Sequence, residues 1–147
     1  LIILSGIADS LDGLVARNLN QVSEYGTFLD SSLDRVSDFF YLLGIWSVFW
    51  RIPGRGWSTP ALIIALLLTV MISYTKARAE GLGIQCRVGL MDRGLRVVYL
   101  IGWCGVIVFV PSQIQITLWA GLALYCGLTF FTVLQRIFHV RDQCRAD

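Results

Sequence analysis

One string constrains this chain more than any other: Asp9-x-x-Asp12-Gly13-x-x-Ala16-Arg17, followed after eight residues by Gly26-x-x-x-Asp30-x-x-x-Asp34. It lies in a sequence that is 56% hydrophobic. Four carboxylates in apolar surroundings need compensation, because each one left ionised and unpaired costs several kcal/mol. Acids in such a setting usually face a partner, a water-filled cavity or a metal ion. On a helix of ~3.6 residues per turn, Asp9 and Asp12 share one face, and Gly26, Asp30 and Asp34 form a single i, i+4 row. Two such rows facing each other make an all-oxygen site, suited to hard cations such as Mg²⁺ or Mn²⁺ rather than to zinc. Gly13 and Gly26 let a ligand approach the backbone, Ala16 keeps a groove open, and Arg17 offers a guanidinium to phosphate.

Composition puts the 147 residues in a bilayer as one domain, an all-α, polytopic helix bundle. Apolar stretches predict helices over about 1–17, 24–50, 58–79, 94–110 and 114–138, most of them long enough to cross ~30 Å of hydrocarbon. Arg51 to Gly56, Gly81-Leu82-Gly83 and Pro111-Ser112 supply the breaks. Residues 1–17 do not read as a cleavable signal, since Asp9, Asp12 and Arg17 interrupt the apolar run. With the acidic string on the cytoplasmic side, ten of the twelve Lys and Arg residues fall on that side, leaving Arg51 and Arg55 outside. A net charge of +2 and the lack of a basic tract interleaved with aromatics exclude a nucleic-acid partner. The four cysteines have neither zinc-ligand nor disulfide spacing. Trp46, Trp50, Trp57, Trp103 and Trp119 lie towards helix ends and read as interfacial anchors. His139 is the single histidine and gives no support to a serine–histidine hydrolase.

The acidic string resembles, at all eight specified positions, the signature D-x2-D-G-x2-A-R-x8-G-x3-D-x3-D of the CDP-alcohol phosphatidyltransferases. The resemblance implies a six-helix integral membrane enzyme that moves a phosphatidyl-type group from a CDP-linked lipid to an alcohol and releases CMP. Such a fold would place residues 1–147 in a membrane domain lacking its first transmembrane helix, an expectation that agrees with a chain starting at Leu1 in an apolar run. By the same resemblance Asp9, Asp12 and Asp30 are the core metal ligands, joined by Asp34, and the cofactor is Mg²⁺ or Mn²⁺. Asp34, one turn beyond Asp30, is the candidate general base, able to touch a metal and reach the incoming hydroxyl. Asp12, Gly13, Ala16, Arg17 and Gly26 are the nucleotide-binding set, with Tyr25 standing where some relatives carry a small hydroxyl residue. Asp38 extends the row beyond the signature and reads as a structural partner for an arginine such as Arg35.

Ser73-Tyr74-Thr75-Lys76 and the residues to Gly83 resemble the corresponding stretch of prokaryotic phosphatidylinositol-phosphate and archaetidylinositol-phosphate synthases. That implies inositol phosphate as acceptor, held by Ser73, Lys76, Arg93 and Arg136. Met91-Asp92-Arg93-Gly94 departs from the more usual Glu-Arg pair. Other acceptors with the same chemistry are glycerol phosphate, serine or another alcohol. An ion transporter could also keep aspartates in register, but has no need of the Gly13, Ala16, Arg17 and Gly26 spacing. Family members are often homodimers embedded among membrane lipids, which sets the expectation for partners and for a prokaryotic cell membrane as location.

Overall fold

The computed structural model describes residues 23–53 and 55–146. Its helices are α1 (Glu24–Phe49), α2 (Ser58–Gly81), α3 (Arg93–Phe109) and α4 (Ile114–Ala146), with single 3-10 turns at Arg55–Trp57 and Pro111–Gln113. No strand occurs among the described residues. The helix expected over 1–17 lies outside them. The chain divides into two compact units, residues 1–41 and 42–147, with the boundary inside α1.

In the first unit, Ser23 starts α1. Its Oγ accepts from the Gly26 amide at 2.9 Å and its carbonyl from the Thr27 amide at 3.0 Å, which satisfies donors that the first turn leaves open. No proline or mid-helix glycine interrupts the residues that follow until Gly44, so Gly26, Asp30, Asp34 and Asp38 stay on one continuous helical row. Among the described residues of this unit Asp34 and Asp38 are buried; the α1 residues Leu42, Ile45 and Phe49 are buried in the second unit.

The second unit is built on α2 and α4. The buried residues of α2 include Leu62, Ala65, Thr69 and Ile72, and those of α4 Leu118, Leu122, Tyr125, Thr129 and Thr132. Both stripes alternate steps of three and four, the period of helices that pack side by side with a slight left-handed crossing. Within this seam the Thr69 hydroxyl lies 2.7 Å from the Tyr125 hydroxyl and 2.8 Å from the Ala65 carbonyl. Thr69 has one proton to give; with Ala65 taking it, Tyr125 becomes the donor across the seam. Phe49 packs edge-on against Trp119 at 5.1 Å.

Among the described residues two helices, taken with their flanking turns as Arg55–Gly81 and Pro111–Arg145, are long and apolar enough to span a membrane. Only 28% and 33% of their apolar windows are buried inside the protein, so most of that surface faces outward, as lipid-exposed helices require. α3 has 17 residues, or about 25 Å of helix, and α1 carries its acids and Arg35 along its first half. α4 runs eight residues beyond the expected end at 138. Arg136 and Arg141 end its apolar character, but no Gly or Pro after them stops the helix.

α3 docks on α4 at Gly121. Tyr99 donates to the Gly121 carbonyl at 2.7 Å, and the Trp103 indole N–H donates to the Thr117 carbonyl at 3.0 Å. Trp103 is 5% exposed, so it packs between helices rather than anchoring at an interface; Trp50 and Trp57, at 49% and 78%, keep the exposure an anchor needs. A Cβ on Gly121 would fall 2.0 Å from the Trp103 Nε1. Gly121→Ala is therefore expected to lower stability by about 1–3 kcal/mol. Gly127→Ala, on the same helix with open space at its Cβ, should not. Melting temperatures of the two variants in one detergent check this, and equal values would refute the close approach.

Candidate functional site

Of the predicted acidic site, the first unit describes Gly26, Asp30 and Asp34. Asp9, Asp12, Gly13, Ala16 and Arg17 lie outside the described residues. Asp30 and Asp34 sit one turn apart on α1. Asp30 is exposed, while Asp34 is 8% and Asp38 4% exposed. Arg35 donates to the Ser31 carbonyl at 2.6 Å and stands 3.5 Å from Asp34 Oδ2. The Arg35 side chain is 36% exposed and that of Asp34 9%, so the pair is open to solvent on one side and leaves a guanidinium beside the proposed base. Among the described residues, a Cβ at Gly26 would meet the Ser23 Oγ at 3.0 Å, tight against the side chain that caps the turn.

The donor chemistry of this row fits a hard divalent cation. Asp30 and Asp34 offer carboxylate oxygens only, with no thiolate or imidazole on the row. No group of three or more ligating residues gathers among the described residues, two of the four predicted carboxylates being outside them.

In the second unit the four predicted acceptor residues gather around one end. Ser73 and Lys76 lie on the last turns of α2, Arg93 opens α3, and Arg136 lies on α4 where it reaches both α2 and the segment joining α2 to α3. Their environments differ. Lys76 is exposed, its Nζ 3.8 Å from Glu80 Oε1, a loose i, i+4 pair that an incoming anion can displace. Arg93 follows Asp92, whose side chain caps α3 by accepting from the Leu95 amide at 3.0 Å. The Asp that replaces the usual Glu is thus the better N-cap, and it fixes where Arg93 begins. Arg136 is 5% exposed; its Nε donates to the Val88 carbonyl at 3.0 Å and its Nη1 to the Ile72 carbonyl. Much of its donor capacity is therefore committed to main chain.

α2 ends in a Schellman turn, the Ile84 amide donating to the Ala79 carbonyl and the Gly83 amide to Glu80, each at 3.0 Å, with Gly83 at φ +80°. Residues 84–92 then run as a strap without regular structure, pinned to α4 by Thr132, Gln135, Arg136 and His139. Sequence reasoning missed this role for Thr132, Gln135 and His139. Their signal was a polar i, i+3, i+4, i+7 row at the end of an apolar helix. His139 packs its ring against the Gln85 carbonyl at 3.2 Å, a contact to the strap. An open cavity of about 260 Å³ lies against Glu80, Gly83 and residues 84–87. The four cysteines are free, as their spacing predicts.

The family model for CDP-alcohol phosphatidyltransferases matches residues 1–133. An archaetidylinositol phosphate synthase of Methanothermobacter thermautotrophicus is 36% identical over 143 residues, covering 95% of this chain and 67% of the relative. A phosphatidylinositol phosphate synthase of Cutibacterium acnes is 34% identical over 157 residues, covering 99% and 73%. The crystal structure of the Mycobacterium tuberculosis phosphatidylinositol phosphate synthase with CDP-DAG bound superposes with a TM-score of 0.76 at 30% identity, covering 89% of this chain and 66% of that one. The same mycobacterial enzyme in complex with manganese and citrate matches equally well, with 63% of its chain covered. This chain thus spans about two thirds of the length of the solved relatives.

Gly89 is the strap residue most exposed to test. It has φ +124°, and a Cβ there would lie 2.8 Å from Thr132 Cγ2 and 2.9 Å from Arg136 Nε. Gly89→Ala should cost about 1–3 kcal/mol through backbone strain alone and lift the strap from α4. A lower melting temperature together with new protease cleavage between residues 84 and 92 is the expected result; an unchanged cleavage pattern would contradict the packing.

Proposed function

This chain belongs to the CDP-alcohol phosphatidyltransferase family, and from that premise we propose that it transfers a phosphatidyl-type group from a CDP-linked lipid to inositol phosphate, releasing CMP. The observation that carries the reading is the unbroken signature, whose second half stands as one row on α1 with its last acid buried. Relatives named as inositol-phosphate-lipid synthases support the acceptor. The neighbour crystallised with CDP-DAG supports the donor lipid. The active site faces the cytoplasm of a prokaryotic cell membrane in this reading, in keeping with the distribution of Lys and Arg.

Asp9, Asp12, Asp30 and Asp34 hold the divalent cation in this proposal. Bound Mg²⁺ or Mn²⁺ would neutralise the diphosphate and stabilise the departing CMP. Asp12, Gly13, Ala16, Arg17 and Gly26 receive the nucleotide, the small residues giving it room and Arg17 gripping phosphate. Asp34 accepts the proton of the acceptor hydroxyl as its oxygen bonds to the lipid-linked phosphorus and the phosphorus–oxygen bond to CMP breaks. An aspartate is a weak base for an alcohol, so its value lies in placement, with the proton moving only as the phosphorus bond forms. Lys76, Arg93 and Ser73 take the acceptor's phosphate. Lys76 supplies a mobile ammonium and Arg93 a planar fork. Arg136, the fourth acceptor residue, adds a second guanidinium from α4.

Two measurements on the full-length protein test these roles. Asp34→Asn should lower turnover by roughly 10²–10⁴-fold while CDP-lipid binding survives, whereas Asp12→Asn should weaken both. Equal loss of CDP-lipid affinity in the two would refute the division of labour. In a panel of inositol phosphate, inositol, glycerol phosphate and serine, CMP release should favour inositol phosphate. Lys76→Ala should raise the KM for it by about ten- to a hundredfold, the loss of one charge-assisted contact of about 1.5–3 kcal/mol. A preference for unphosphorylated inositol, or an unaltered KM in the variant, would reassign the acceptor.

A further inference from the structure

The strap 84–92 is held to α4 by contacts that run in strict order. Met91 N–H donates to Thr132 Oγ1 at 3.0 Å and Leu90 N–H to Gln135 Oε1 at 3.3 Å. Arg136 Nε donates to the Val88 carbonyl at 3.0 Å, and His139 Nε2 lies 3.2 Å from the Gln85 carbonyl. As α4 ascends from 132 to 139, the strap descends from 91 to 85, and the four side chains form one ridge of the helix. A slip of the strap by one residue would break every pairing at once. Gly89 allows the close approach, and Met91 and Cys86, at 0% and 1% exposure, fill the space beneath. Beyond Met91 there is no slack. Asp92 is the N-cap of α3 and Arg93 its first residue.

We propose that Thr132 and Gln135, acting beside Arg136, are positioning residues for the acceptor site. They set the register of the strap on α4, and the strap in turn sets where Arg93 stands relative to Ser73 and Lys76. Arg136 contributes twice, because its Nη1 also holds the Ile72 carbonyl, one residue before Ser73. One buried guanidinium thereby ties both walls of the acceptor pocket to the same turn of α4. This rests on the acceptor reading above and deepens it: selectivity for a phosphorylated alcohol depends on side chains that need not touch it.

The test is steady-state kinetics of the full-length protein with a CDP-linked lipid and inositol phosphate. Thr132→Val keeps the shape of the side chain but removes the acceptor for the Met91 amide. Gln135→Ala removes the half-exposed acceptor for Leu90 and threatens folding less. Each should raise the KM for inositol phosphate about three- to tenfold, the range expected for one lost neutral hydrogen bond, with kcat and the CDP-lipid KM within about twofold of wild type. Thr132→Ser, which retains the hydroxyl, should restore the acceptor KM. Amide exchange over 84–92 should quicken in Thr132→Val and not in Thr132→Ser. Arg93→Ala is the control for the underlying reading. If it raises the acceptor KM while Thr132→Val and Gln135→Ala do not, the positioning role is overturned and the pocket stands. An equal loss in kcat and both KM values would also overturn it, since a merely structural brace behaves that way. An unchanged acceptor KM in Arg93→Ala would overturn the acceptor reading and the inference with it.

Discussion

Everything in this protein depends on keeping carboxylates charged in a setting that disfavours charge. Asp34 and Asp38 are buried on α1, at 8% and 4% exposure. An ionised carboxylate in such a place costs several kcal/mol unless something of opposite sign answers it. Arg35, 3.5 Å from Asp34 and itself part exposed, is one such partner. In the proposed reading a hard cation shared by the acids of the signature adds a second, and the same charge would attract a diphosphate.

The second unit meets a different demand, placing an exposed lysine and a half-buried arginine at helix ends. Its frame is the seam between α2 and α4, with a 3.5-residue period on both sides and the Thr69–Tyr125 hydrogen bond inside. Apolar packing alone discriminates poorly between helix partners in a bilayer, where lipid tails are as apolar as leucine. The small and polar contacts, Gly121 beneath Trp103 and the ridge of Thr132, Gln135, Arg136 and His139, supply the geometry. Of the proposed acceptor cations, Arg136 is fixed by hydrogen bonds to backbone and Lys76 pairs with Glu80.

How much of this could be read in advance follows from the range of the interactions. Helices α1 to α3 begin and end within two residues of their expected limits because local signals decide them: Ser23, Pro53-Gly54, Gly83, Asp92 and Pro111. α4 outran its expected end because hydropathy marks where a helix leaves the membrane, not where it stops. The row of Gly26, Asp30 and Asp34 was legible for the same local reason, being fixed by helical period alone. The strap was not. Its bonds join residues more than forty apart, and nothing within 84–92 announces which face of which helix will receive them. Arg136 shows the limit most clearly, since its charge was visible in the sequence but its main-chain partners were not. Trp103 likewise looked like an interfacial anchor until Gly121 placed it between helices.

The central claim is that the acidic signature works only through a divalent cation that holds the CDP-linked lipid. Release of CMP by the full-length protein, supplied with CDP-linked lipid and inositol phosphate and titrated with chelator, tests it most directly. The account predicts that CMP release vanishes when Mg²⁺ and Mn²⁺ are removed, returns on adding either, and is absent from Asp30→Asn under every condition, since an amide keeps the shape but not the charge a hard cation requires. CMP release that persists in excess chelator, or an Asp30→Asn variant with turnover close to wild type, would contradict it.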